Sequence, residues 1–273
     1  MRKFAMLCGL FAGFSSSVYA ANESDLVANS TESNEYAAFQ KFDRQYSLGF
    51  GAFSGNLSAA RTSGGNYSAT FLNVDVERLF NVGVWMDINA YLYSSYRQSP
   101  NVDPAAGMTG QLTGADPQFG GMNAKVGYAF PILKDKLLLT PYGQFGRNVN
   151  LSSYTLQATP TENLTSNYYW TFGAGARLEY RINDVIDIYL DQNMVYNLSQ
   201  SNMSQNLVQP NFYNNRTVLG GKFNLYRNFQ LGAQAFYNNY SYQENLVSAN
   251  PVGAVALVPD NNVGGMISFG LTY

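Results

Sequence analysis

Histidine does not occur anywhere in this chain of 273 residues, and cysteine occurs once, at Cys8. The missing histidine removes the usual base of serine and cysteine hydrolases and the commonest transition-metal ligand. A single cysteine cannot form an internal disulfide, so whatever holds the fold is not a covalent staple. Charge is scarce as well: Asp, Glu, Lys and Arg make up 12% of the chain, about half the usual share. The net charge of −2 comes with no basic run, which argues against nucleic acid as a partner. No apolar stretch approaches the roughly 20 residues that a membrane-spanning helix requires. Mean hydropathy is slightly negative at −0.19 although 46% of residues are hydrophobic. The polarity therefore comes from uncharged residues, chiefly Asn, Ser, Gln, Thr and Gly, alongside 21 Tyr and 18 Phe.

The first residues carry a compartment signal. Arg2 and Lys3 precede the apolar stretch Met6 to Phe14, and Val18-Tyr19-Ala20 places small residues where a signal peptidase cuts. Residues 1–20 are accordingly expected to be a secretory signal peptide, with Cys8 a small hydrophobe lost on processing. Residues 21–42 are polar and without period, and are expected to form a loosely ordered periplasmic lead-in.

From residue 43 onward the period is two. The last eleven residues set the pattern: Val263, Gly265, Ile267, Phe269, Leu271 and Tyr273 share one face, and Gly264, Met266, Ser268, Gly270 and Thr272 the other. Ten such segments can be counted. Tyr168, Trp170, Phe172, Ala174, Ala176, Leu178 and Tyr180 form the clearest apolar face. Only the fifth segment, about 137–149, leaves its facing undecided, because Pro141 and scattered glycines blur the alternation. Gly49 and Gly51 form a Gly-x-Gly with no helical pattern after it, so no nucleotide loop is implied. Asn-x-Ser/Thr triplets at Asn56, Asn66, Asn163 and Asn239 are expected by chance in so Asn-rich a chain.

Links after the second, fourth, sixth and eighth segments read as tight turns. The intervening ones are mostly ten to twenty residues, including about 98–117 and 241–261. The fold class that follows is all-β, a closed antiparallel up-and-down barrel of ten strands over residues 43–273, with long loops at one end and both termini at the other. The polar faces hold few charges and the apolar faces end in Tyr, Trp or Phe. The apolar face is thus expected against lipid and the polar face in the lumen. The lumen would then contain Asp75, Glu77, Asp87, Lys125, Arg177, Glu179, Arg181, Asp187, Asp191, Arg216 and Lys222. Across the turn at Asn183-Asp184, the register that pairs Arg181 with Asp187 and Arg177 with Asp191 avoids like-charge neighbours.

The leader, the hairpin rhythm and the terminal strand with Phe269, Leu271 and Tyr273 resemble Gram-negative outer-membrane β-barrel proteins. The resemblance implies multi-pass insertion into the outer membrane, contact with lipid and lipopolysaccharide, and both termini in the periplasm. It also implies that Phe269, Leu271 and Tyr273 are the signal read by the barrel assembly machinery. The enzymes known among such barrels rely on histidine, so no catalytic role is expected, and a carboxylate-only hydrolase built on Asp75, Glu77 and Asp87 is the weaker reading. No cofactor is implied. With neither His nor a second Cys, only a hard cation on carboxylates could be bound, and no calcium-loop spacing is present. Ten strands about 4.8 Å apart and tilted about 40° enclose a backbone radius of roughly 10 Å. Inward glycines such as Gly49, Gly51, Gly175 and Gly220 are expected to leave room along that wall. The sequence therefore favours a narrow porin-like channel for small solutes, with a surface-binding or adhesion barrel, or a structural envelope barrel, as the alternatives.

Overall fold

The computed structural model describes residues 35–59, 66–99, 112–114, 118–156, 159–199, 211–226, 228–242 and 254–273. The expected signal peptide and most of the expected lead-in lie outside these residues. One short helix, α1 (Ala37–Gln40), precedes the strands β1 (Arg44–Ala59), β2 (Asn66–Leu79), β3 (Val84–Ser99), β4 (Leu112–Gly114), β5 (Gln118–Tyr128) and β6 (Phe130–Leu133). β7 (Leu137–Leu156), β8 (Thr159–Arg181), β9 (Ile186–Ser199), β10 (Phe212–Tyr226), β11 (Phe229–Tyr242) and β12 (Ala254–Thr272) follow. All pairings are antiparallel, and ten staves close a ring in the order β1, β2, β3, β5, β7, β8, β9, β10, β11, β12 and back to β1. The last strand does complete the sheet: Leu48 pairs with Phe269 and Tyr46 with Leu271 on one side, and Phe229 pairs with Leu271 on the other. Among the described residues the ring of ten staves leaves no open edge, as lipid demands of any sheet that spans it.

The alternation decides the facing. Leu48, Phe50, Phe172, Leu190, Leu219, Ile267, Phe269 and Leu271 are exposed on the outer wall, while Ser47, Thr171, Asp191, Asn193 and Lys222 are buried within. An outer surface this apolar is unsuited to water and suited to lipid. β7, undecided from sequence, turns its even residues inward: Leu138, Thr140 and Tyr142 are buried and Phe145 is exposed. Pro141 also explains why β5 and β6 are separate strands. Proline has no N–H for the ladder, and the ladder is interrupted between Gly127↔Tyr142 and Phe130↔Leu139, the gap that spans Pro141. Ala129 in that gap donates its N–H to Gly83 O instead, at 2.8 Å.

Tight turns gather at one end. Gly83 adopts φ +81° and Asp135 φ 57°, the left-handed geometry that such links need. At Asn183 the side-chain oxygen accepts the N–H groups of Val185 and Ile186, both at 2.8 Å. The other end departs from expectation in several places, among them β12, which begins at Ala254 inside the expected loop about 241–261. The link after β1 is six residues long, and β7 and β8 run on as a long hairpin with only residues 157–158 between them. That hairpin crosses the mouth: Ser153 to Leu156 of β7 pair with Leu257 to Ala254 of β12, although these two staves are five places apart either way round the ring. The expected loop about 98–117 carries β4, which pairs with Tyr96 to Gln98 of β3.

The lead-in also differs from expectation where it is described. Tyr36, Phe39 and Phe42 are buried, and Phe39 packs with Leu79, Trp85, Ala129, Leu138 and Tyr142 inside the tight-turn end. Residues 36–43 are a plug, not a free tail. The polar composition of residues 21–42 hid three aromatic residues whose burial outweighs the cost of ordering so short a segment.

Candidate functional site

The lumen is built in levels along the barrel axis. Nearest the tight turns, Asp43 at the end of the plug meets Glu77 of β2, Arg177 and Glu179 of β8, and Lys222 of β10. Glu77 is the hub. Its carboxylate accepts from Arg177 Nη1 at 2.7 Å, Lys222 Nζ at 2.6 Å, Gln45 Nε2 at 2.9 Å and Trp85 Nε1 at 3.0 Å. Lys222 Nζ also reaches Asp43 Oδ1 at 2.5 Å and donates to Phe42 O at 3.3 Å, tying the plug to the wall. Arg177 forms an ion pair with Glu179 and lies over the Tyr189 ring, with 4.1 Å from Cζ to the ring centroid. Charges removed from water this completely persist only when paired and hydrogen-bonded, and Glu77 meets that condition with four donors.

One level further in, Lys125 of β5 bridges Asp87 at 3.3 Å and Asp191 at 2.9 Å, and Tyr142 donates its hydroxyl to Asp191. Neutral amides take over beyond this. Asn123 accepts from Gln144 Nε2 at 3.3 Å, Asn148 Nδ2 at 3.2 Å and Thr171 Oγ1 at 3.4 Å. Toward the mouth Asn262 donates to Tyr67 Oη at 2.8 Å and Tyr240 Oη at 3.0 Å and accepts from Asn238 at 2.6 Å. A layer of rings, Phe53, Phe71, Tyr91, Tyr93 and Phe236, fills much of the remaining width. Between the charges and the rings lies a cavity of about 210 Å³, lined among others by Asp75, Asn89, Asn193, Arg216 and Gln234.

Each charge expected in the lumen can now be placed. Asp75, Glu77, Asp87, Lys125, Arg177, Asp191, Arg216 and Lys222 line the cavity, and Glu179 and Asp187 are fully buried. Arg181 sits at the rim, bound to Asp184 of the turn at 2.8 Å. The register is as expected, with Arg181 opposite Asp187 and Arg177 opposite Asp191, but neither directly opposed pair is an ion pair. Arg177 reaches across the ring to Glu77, and Asp191 is taken by Lys125 and Tyr142. The glycines do not widen the lumen as expected. A Cβ at Gly51 would run into the Phe71 ring and one at Gly220 into the Tyr189 ring, so aromatic side chains from adjacent strands occupy the space that glycine vacates. Asp43 and Trp85 were missed altogether. Asp43 lies at the boundary of an aperiodic segment, and Trp85 sits on the polar face of β3 with nothing in its spacing to mark it.

No protein-family model matches the chain, and no curated protein sequence matches it. Solved structures do. The β domain of the Bordetella autotransporter BrkA is 11% identical, superposes with a TM-score of 0.50, and the match covers 85% of this chain and all of that one. The translocator domain of the autotransporter NalP from Neisseria meningitidis is 11% identical with a TM-score of 0.46 over 99% and 98% of the two chains. The outer membrane protease OmpT from Escherichia coli is 8% identical with a TM-score of 0.41 over 84% and 96%. At such identities the likeness concerns the fold alone. Closed ring, apolar outer wall and polar lumen together define the class: this is a transmembrane β-barrel of the outer-membrane type.

Proposed function

We propose that this barrel is a narrow outer-membrane channel for small polar solutes, closed in the state described by its own N-terminal segment. The observation that carries this reading is the contrast between cavity and closure. The cavity of about 210 Å³ is lined by mixed charges and amides, which suits small polar molecules of either sign. Its tight-turn end is stopped by residues 36–43, which belong to no stave and are held to the wall mainly through side chains, with one backbone bond from Leu79 N–H to Asp43 O at 2.8 Å. Among those bonds are Tyr36 Oη to Ala129 O at 3.2 Å, Gln40 Nε2 to Asn81 Oδ1 at 2.8 Å and Asn224 Nδ2 to Lys41 O at 3.3 Å. A wall built for sealing alone would have no need of a separable stopper. The bore left by the rings and the Lys125 bridge is too small for a general porin. In this reading both termini and the tight turns face the periplasm. The chain carries out no covalent chemistry, and its outer wall contacts lipid and lipopolysaccharide.

Conductance in planar bilayers tests the proposal. The parent protein is expected to show little current, and a variant lacking residues 36–42 is expected to show small, regular steps. If neither conducts, the channel reading fails. The reading that then takes its place is a surface-binding barrel. The β7–β8 hairpin favours it, since its pairing with β12 lays a long β ribbon across the mouth, where an outside partner would meet it. A separate proposal concerns biogenesis. Phe269, Leu271 and Tyr273 stand exposed on the outer wall of the closing strand, where assembly machinery could read them before closure. Deleting Tyr273, or replacing Phe269→Asp, is expected to leave the protein degraded or periplasmic; normal surface levels in both would reject the role.

A further inference from the structure

Four carboxylates and two cations share the tight-turn end of the lumen. Asp43, Glu179 and Asp187 are 0% exposed, Glu77 is 2% exposed, and Arg177 and Lys222 are 4% exposed. With all six ionised the group carries two more negative charges than positive ones, where uncompensated charge is among the costliest things a fold can bury. Glu77 has its four donors, so the deficit falls on the other three. Asp43 gives Oδ1 to Lys222, and its Oδ2 has no partner. Glu179 touches Arg177, yet neither of its oxygens receives an aligned hydrogen bond. Asp187 is the clearest case: both its oxygens are buried without a partner, although Arg181 and Lys222 lie opposite it in the two ladders. Arg181 turns to Asp184, and Lys222 turns to Asp43 and Glu77.

The three carboxylates that keep buried oxygens without an aligned donor converge. One oxygen from each of Asp43, Glu179 and Asp187 lies within 4.8 Å of the other two. We propose that these three residues bind a single divalent cation of the calcium type, which pins the N-terminal segment to β8 and β9. Calcium sits about 2.3–2.6 Å from its oxygen ligands, so ligand oxygens on its shell are separated by at most about twice that distance, as found here. Two positive charges cancel the deficit. All-oxygen ligation selects a hard cation over zinc or copper. The absence of a calcium loop in the sequence does not bear on this site, because its ligands come from the plug and two different staves. The site stands whether or not the barrel conducts.

Calorimetric titration of calcium chloride into the purified full-length protein, folded in detergent and freed of metal with a chelator, tests the proposal at neutral pH. One calcium ion per chain is expected to bind. Asp187→Asn and Glu179→Gln are expected to lose that binding, while Asp184→Asn, which alters an exposed carboxylate of the nearby turn, keeps it. A second measurement reads the pinning. Lys41 lies two residues before Asp43 with its side chain 56% exposed, so tryptic cleavage after Lys41 is expected to be slow with calcium, fast with chelator, and indifferent to calcium in Asp187→Asn. Absence of saturable binding, undiminished binding by Asp187→Asn, or cleavage of the parent that ignores calcium would each overturn the proposal. If binding is absent and Asp187→Asn melts at a higher temperature than the parent, protons supply the balance instead. No conductance enters this test, so its failure and that of the channel reading remain distinguishable.

Discussion

The two ends of the lumen are made by the same ten staves with the same alternation, yet they hold the wall together by different chemistry. At the tight-turn end, ionised side chains from β2, β8 and β10 meet a segment from outside the wall, around Glu77. Toward the mouth the inward positions are chiefly Asn, Gln, Thr and aromatic residues, with Arg216 over the Phe236 ring, and neutral hydrogen bonds join them around Asn123 and Asn262. Neutral bonds are individually modest and their loss is local. Buried ion pairs contribute little net stability while intact, but each partner that is removed leaves a stranded charge. The difference teaches where the barrel is brittle: at the plugged end, not at the mouth.

The largest effect is expected from Arg177→Ala. Glu77 would lose its 2.7 Å partner and Glu179 its ion pair, and a cost of about 3–5 kcal/mol is expected, read as a lower urea midpoint for the refolded protein in lipid. Arg177 is buried in the cluster, which makes stability the primary readout. An effect as small as that of a surface mutation would erase the contrast between the ends. Next is Asn262→Ala at the mouth, which removes a donor to the Tyr67 and Tyr240 hydroxyls and the acceptor of the Asn238 amide; about 1–3 kcal/mol is expected, measured the same way. A cost above that of Arg177→Ala would reverse the comparison.

Alkaline pH sharpens it from the plug side. Burial, helped by a hydrogen bond with Tyr128, pushes the Tyr36 hydroxyl up to about 12. A proton held more tightly in the docked state stabilises docking fully below the ordinary tyrosine range near 10, and that contribution is lost as pH rises through about 12. The unfolding temperature of the parent should therefore fall over that window, and Tyr36→Phe should flatten the dependence. The smallest effect belongs to Asp184→Asn. Its partners Lys41 at 3.8 Å and Arg181 lie at the solvent-exposed rim, where such pairs contribute about 0–1 kcal/mol, so an unfolding midpoint close to the parent's is expected.

Much of this architecture is legible along the chain. The period of two from residue 43 onward gives the staves, their number and, through the scarcity of charge on the polar faces, which side meets lipid. Even the register at Arg181↔Asp187 follows from parity and charge, because both act between neighbours in one hairpin. What the sequence could not determine is anything that spans the ring. Arg177 bonds to Glu77, which stands four staves away, and Asp191 is claimed by Lys125 and Tyr142 from two further strands. Glycine spacing suggests an open wall, but rings from adjacent strands fill it. Asp43 and Phe39 enter the lumen from a segment without periodicity. Alternation is set by the backbone, residue by residue, and so is written locally. Which inward groups share a partner depends on closure, which brings distant staves within a few ångströms of one another and leaves no trace in the spacing of residues along the chain.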